Sequence, residues 1–193
     1  RLANVFYIGG TQVGLCDSQY GSNTSTSGAF TMNTSNTNSG GWNNSHMRKT
    51  VLGSDASPTS PRANTLLAAL PADLRAVMKP ITKYSDNTGG GNNTASYVTS
   101  TTDYLPLLAE FEIHGARTYA NSAEQNYQQQ YAYYQAGNSK VHYKHNATGT
   151  AANAWCRSVY AAYTYSFCRV YTNGYPTTTD ANSSWAVAPG FAA

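Results

Sequence analysis

The stretch AWCRSVYAAYTYSFCRVY, Ala154–Tyr171, decides the fold class. Its two segments, Ala154 to Ser158 and Tyr163 to Tyr171, read as short strands separated by turn residues. In the second segment Tyr163, Tyr165, Phe167, Arg169 and Tyr171 share one parity, while Cys168 and Val170 share the other. Both faces cannot be solvent, so a bulge or an edge between sheets is expected here. A further strand is expected around Val141-His142-Tyr143, and a last short run ends near Phe191.

Upstream the pattern changes. Val5-Phe6-Tyr7-Ile8 reads as a strand followed by a Gly9-Gly10 turn. Gly21 to Gly41 is low in complexity and reads as a long surface loop. Helices are expected between Trp42 and Lys83. Ser45 would cap a short one with Met47, Val51 and Leu52 on its inner side. Two more are expected over Pro61 to Leu70 and Pro71 to Met78, the latter with Leu74, Val77 and Met78 inward and Pro80 as terminator. Gly89 to Asn93 is a loop. Tyr97-Val98 and Leu105 to Ile113 read as strands. Tyr127, Tyr131 and Tyr134 give Glu124 to Gln135 a helical spacing, stopped at Gly137. Strands and helices do not alternate as in a parallel sheet, so the class is α+β.

Composition narrows the function. Of 193 residues only 11% are charged, and 23 Thr, 19 Ser and 18 Asn make up about 31% of the chain. There are 16 Tyr against 5 Phe, so the chain is neutral, polar and aromatic, the reverse of a disordered segment. A net charge of +3 is too thin for a counterion-release nucleic-acid binder, so no nucleic-acid partner is expected. The apolar runs are far below the roughly 18 residues that cross a bilayer, so no membrane insertion is expected. The chain opens at Arg1 without Met or signal peptide, as a processed chain or a piece of a larger one would.

Chemistry is thinly represented. Cys16, Cys156 and Cys168 contain no C-x-x-C pair and read as small buried thiols, although Cys156 and Cys168 could pair across neighbouring strands. Among His46, His114, His142 and His145, only His142 and His145 lie close together, beside Lys144 and without a third ligand, so no metal and no cofactor is expected. Glu110 and Glu112, two apart on a strand-like segment, would share a face. They suit an acid/base pair, or, more simply, partners for Arg48 and Arg157. No G-x-S-x-G elbow, Walker A loop or G-x-G-x-x-G run occurs.

Binding is better supported. Tyr160 to Trp185 gathers tyrosines among Ala, Ser, Thr and Asn, the residue palette of antibody paratopes, where phenol rings give contact area at low rotamer entropy. The candidate ligand-binding residues are Tyr160, Tyr163, Tyr165, Tyr171, Asn173, Tyr175, Asn182 and Trp185.

A set of motifs then lines up in order from about residue 40 to the end. They are Gly40-Gly41-Trp42 with Ser45, Met47 and Arg48; Leu70-Pro71-Ala72-Asp73-Leu74; Lys83-Tyr84-Ser85; Asp103 to Gly115; Trp155-Cys156-Arg157-Ser158; Phe167-Cys168-Arg169-Val170; Gly174; and Val187-Ala188-Pro189-Gly190-Phe191. This resembles an uncharacterised domain family common in gut bacteria and their phages. It departs from that family at Cys156, usually bulkier, and at Val159, usually Pro.

The resemblance implies a C-type-lectin-like fold with short helices and a small, mainly antiparallel twisted sheet, similar to the variable proteins of diversity-generating retroelements. Residues 1–39 would be an N-terminal strand and polar loop of the same domain, and 40–193 the lectin-like part with a changeable C-terminal binding face. Trp42, Arg48, Trp155, Arg157 and Phe191 are the expected anchors, the guanidiniums paired with Glu110, Glu112 or Asp103 because an unpaired buried charge is costly. The loops lack the Glu-Pro-Asn, Gln-Pro-Asp and Trp-Asn-Asp runs of calcium-dependent lectins.

The expected function is a non-enzymatic receptor-binding adhesin on a phage virion surface, in a tail or head fibre or decoration. Its partners would be a host cell-surface protein or glycan and other virion proteins, and it would form a homo-oligomer, as fibre trimers do. The second reading is an extracellular domain on a bacterial cell surface that binds glycan or protein. The third is an enzyme related to formylglycine-generating proteins, for which Cys156 and Cys168 are the only candidate groups.

Overall fold

The computed structural model describes residues 2–3, 6–21 and 23–193. The architecture is α+β, with short helices and mainly antiparallel sheets. Strands β1 (Leu2–Ala3), β2 (Phe6–Ile8) and β3 (Thr11–Gly14) come first. Helix α1 (Gly41–Asn44), a π-helical turn (Met47–Leu52), α2 (Leu66–Ala69) and α3 (Ala72–Val77) follow. Then come β4 (Ile81–Asp86), β5 (Val98–Asp103), α4 (Glu110–His114) and α5 (Ala132–Gln135). The chain ends with β6 (His142–Lys144), β7 (Ala147–Ala152), β8 (Ala154–Val159), β9 (Ser166–Val170), β10 (Pro176–Asp180) and β11 (Phe191–Ala192).

Among the described residues the sheets are ordered β2-β3-β6-β7, β10-β9-β8, β4-β5 and β1-β11. Of their ladders, β3–β6 is the parallel one. β8 and β9 form the centre. Trp155 pairs with Arg169 and Val159 with Phe167, and the register slips between those pairs, which is the expected bulge. Every residue of β8 is buried. Trp155, Val159 and Phe167 enter the main core with Trp42, Met32, Leu52 and Leu67. Cys156, Cys168 and Val170 enter a second cluster with Leu108, Ile113 and Tyr134. A strand covered on both faces loses apolar alternation, so parity alone could not assign its sides.

Several segments differ from their sequence reading. The described residues between 21 and 40 form no helix or strand, and 25–28 and 34–36 are exposed as a surface loop would be, yet Ala29, Thr31, Met32 and Asn38 are fully buried and fix the stretch into the interior. The expected helix over Glu124 to Gln135 is replaced by a 3-10 turn, Ser122–Asn126, and α5. Tyr127 is 55% exposed, and only Tyr134 of the three tyrosines is buried. Leu105 to Ile113 is no strand: it enters α4 at Glu110. Helix formation at Pro61 to Leu70 is limited to α2, and in α3 Val77 faces solvent rather than the core. Lys83, expected at the end of the helical stretch, lies inside β4, a strand whose polar sequence hid it. Val5 of the first expected strand lies outside the described residues; Phe6–Ile8 and the following turn are present.

Candidate binding face

The late tyrosines sit on the two turns that bound β9. Residues 160–165 connect β8 to β9, and the Asn38 side chain holds this turn from below. Its Nδ2 donates to the carbonyls of Tyr163 at 2.7 Å, Ser166 at 3.0 Å and Tyr160 at 3.3 Å. Its Oδ1 accepts from the Gly90 N–H at 2.9 Å. The neighbouring Gly89 has φ 68°, and a Cβ there would fall 2.0 Å from the Asn38 carbonyl oxygen, so only glycine admits this approach.

Above the clamp the rings pack on one another. Tyr119 meets Tyr160 edge-on at 5.4 Å, Tyr160 meets Tyr163 edge-on at 4.8 Å, and Tyr163 stacks on Tyr165 at 5.4 Å with planes 7° apart. Tyr163 and Tyr165 remain 49% and 38% exposed. Tyr119 is set by Glu110, whose buried carboxylate accepts from the backbone N–H groups of Thr118, Tyr119 and Ala120.

The second turn, 171–175, connects β9 to β10. The Tyr171 N–H donates to the Tyr175 carbonyl and the Gly174 N–H to the Tyr171 carbonyl, both at 2.8 Å. Asn173 Oδ1 accepts from the Tyr175 N–H at 3.0 Å, so this side chain braces the turn. Tyr171 is 43% and Tyr175 70% exposed.

The eight candidate residues therefore do not form one patch. Six residue steps of extended chain place Tyr165 and Tyr171 about 20 Å apart, at opposite ends of β9. Asn182 joins the Tyr165 end, its Nδ2 donating to Ser25 Oγ at 2.8 Å. Trp185 is half-buried and meets Tyr20 edge-on at 5.0 Å. The Arg169 guanidinium lies 4.8 Å from the Trp185 ring and 5.5 Å from the Tyr171 ring, and burial pulls its pKa below the usual arginine value. The guanidinium thus ties the Trp185 indole to the Tyr171 end.

The supporting charges are buried. Asp103 accepts from Arg48 Nε at 2.7 Å, Ser54 Oγ at 3.0 Å and Trp42 Nε1 at 3.2 Å. Arg157, fully buried, donates to the Glu112 carboxylate, to Ser85 Oγ at 2.7 Å and to the Leu107 carbonyl at 2.8 Å. Burial alone would raise the Glu112 pKa, but Arg157 and Lys83 outweigh it and hold the carboxyl at about 2. Trp155 Nε1 donates to the Phe30 carbonyl at 2.8 Å, and Phe191 packs at the edge of the main core. Trp42, Arg48, Trp155 and Arg157 are buried and Phe191 is half-buried; Arg48 pairs with Asp103 and Arg157 with Glu112, while Glu110 serves the 118–120 backbone instead of an arginine. In α4, Glu110 and Glu112 point to different partners, so they do not share a face as a strand would require.

Residues 22–192 match the family described as Domain of unknown function (DUF6273). The chain belongs to that family. No curated protein and no solved structure matches it. The family match of this DUF6273 domain starts upstream of residue 40 and takes in Asn38, so the clamp beneath the first tyrosine turn falls within the matched span.

In the DUF6273 domain Cys156 and Cys168 are free, fully buried thiols, and burial pushes both well above the ordinary value. His142 is buried beside the Gln12 amide, 2.8 Å away, and His145 Nδ1 accepts from the Cys16 N–H at 3.0 Å. Among the described residues no group of three or more metal-ligating side chains converges. No helix among them is long and apolar enough to cross a membrane.

The sequence reading missed Asn38, Tyr119 and Arg169 as parts of this face. Asn38 lies in a low-complexity stretch that also holds Asn23, Asn33 and Asn36, and nothing in the sequence separates it from them. Tyr119 reaches the face through a buried glutamate that no local pattern reveals.

Proposed function

We propose that this DUF6273 domain is a non-enzymatic receptor-binding module of a phage virion, on a C-type-lectin-like scaffold. The observation that carries this reading is the set of exposed tyrosines, 163, 165, 171 and 175, on turns whose backbones are held by Asn38 in the first and by Asn173 within the second. Rings that already pack on a neighbour, as Tyr163 does on Tyr165, lose little entropy when a ligand covers them, which favours recognition by contact. The threonine-rich edge strand β10 and Asn182 add hydroxyl and amide groups without net charge. The buried state of Cys156 and Cys168 supports binding over thiol chemistry.

Two aromatic ends about 20 Å apart suit a ligand larger than one sugar ring, such as a surface protein or an extended glycan. Display in several copies would add avidity to weak individual contacts. In a retroelement-diversified protein, substitutions would fall on the turns and β10 and spare Asn38, Asp103, Glu112 and Arg157.

The test is to locate the domain by gold-labelled antibody on purified particles of a phage that encodes it. Label on fibre tips or the outer shell is expected. Label confined to bacterial cells, with particles bare, would replace this reading with the bacterial-surface one.

A further inference from the structure

A second site lies away from the tyrosine turns, in a cavity of about 380 Å³ between β4 and the segment 127–135. That volume falls within the range of small-molecule pockets, about 300–1,000 Å³. Its floor is the buried Lys83 ammonium, which donates to Glu112 Oε1 at 2.8 Å and to the Tyr131 hydroxyl at 2.6 Å. One wall is Tyr127, stacked on Tyr84 at 4.6 Å with planes 10° apart and 55% exposed. Gln128 lines the same cavity. Its Nε2 is occupied by the Tyr84 carbonyl at 2.9 Å and Glu124 Oε2 at 3.0 Å, which leaves Oε1 as a buried acceptor without a partner.

Charge decides the ligand class. Lys83 and Arg157 are positive, and Glu112 lies between them. Glu124 is the fourth charge: burial raises its pKa, yet its oxygens accept from Ser158 Oγ, the Asp86 N–H and Gln128, the bonding of a carboxylate rather than an acid. Of these four only Lys83 and Glu112 line the cavity, one cation paired with one anion, so the floor favours neither an anionic nor a cationic ligand. It offers donors and acceptors side by side beneath a flat aromatic wall. A sugar matches this arrangement, since each hydroxyl both donates and accepts and the ring carries an apolar face for Tyr127.

We infer that the Lys83–Tyr127–Gln128 cavity binds a neutral saccharide unit, at a site separate from the tyrosine turns. The site is independent of the reading given above under Proposed function and would stand if that reading fell.

The test is to titrate the full chain with chitotriose, maltotriose and mannotriose, and with a trigalacturonate as the charged comparison, following backbone amides by NMR. At least one neutral trimer should shift the amides of residues 127–131 and 83–84. Tyr127→Ala should weaken that binding about tenfold while the domain stays folded, with a melting temperature lowered only by the loss of the Tyr84 stack, because Tyr127 is 55% exposed. Tyr163→Ala should leave it unaltered. The inference is overturned if no neutral trimer shifts these amides, if trigalacturonate binds as well or better, or if Tyr127→Ala binds like the wild type.

Discussion

The side-chain amide of Asn38 donates to the carbonyl of Tyr163 at 2.7 Å, across 125 residues of sequence. This contact ties the polar N-terminal stretch to the exposed tyrosine turn. Replacing Asn38 by Ala leaves the Tyr160, Tyr163 and Ser166 carbonyls and the Gly90 N–H without this partner. The expected loss is about 2–3 kcal/mol in urea unfolding. Hydrogen exchange should quicken at 160–166 more than in β4 or β5. Unchanged stability and exchange would mean that the turn is held by something else.

Arg157→Ala should act on the fold rather than on recognition alone. Removing one partner of a buried pair leaves Glu112 with Lys83 as its cation and the Ala109 N–H as its other donor, and empties the space beside Ser85 and Leu107. A loss of about 3–5 kcal/mol is expected, on the order of a 10 °C fall in melting temperature. A wild-type melting temperature would contradict this.

Acid should weaken the domain before it reaches the Glu112 pair. His142 is fully buried, and burial lowers its pKa from 6.5 to about 4. The unfolded chain therefore takes up the proton first, so this contribution is complete above pH 6.5 and is lost as pH falls toward 4. Its size is on the order of 2–3 kcal/mol. His114 shifts the same way through burial and Lys140. Glu110 and Glu124 are raised by burial and act in the opposite sense, their protonation favouring the fold. Glu112, held at about 2, keeps its contribution until pH drops below 4.5. Urea unfolding of wild type and His142→Gln at pH 7 and pH 4.5 isolates the histidine: the wild type should lose more between the two. Parallel losses would exclude His142 as the source.

How far the sequence revealed this structure depends on where polar groups go. The strand at 154–158, the Ser166–Val170 part of the expected 163–171 strand, the bulge and the arginine pairings were legible because apolar runs and charges of opposite sign constrain each other; Tyr163, Tyr165 and Tyr171 fall in the flanking turns instead. β4 was not, because Lys83, Ser85 and Asp86 are buried with partners supplied from α4, β8 and the 121–124 turn. The same holds for residues 21–41, where Thr31 and Asn38 occupy interior positions that a hydropathy pattern assigns to solvent. Over 127–134 the tyrosine spacing suggested one helix. Tyr127 instead leaves that face to stack on Tyr84, a partner from a distant strand. The tyrosines of the candidate face were identified, but their division into two ends follows from the length of β9, which composition does not encode.

The outward phenol rings are the heart of the account, and their removal tests it most directly. Labelled wild-type domain, Tyr163→Ala, Tyr175→Ala and the double variant should be compared for binding to host cells of the phage proposed to carry the domain, with melting temperatures recorded in parallel. Each single variant should bind about tenfold more weakly, and the double variant should not bind measurably. Each should melt close to the wild type, because Tyr163 is 49% and Tyr175 70% exposed and the packing lost is confined to the contacts of the Tyr163 ring with Tyr160 and Tyr165. Full binding by the double variant, at an unchanged melting temperature, would contradict the account.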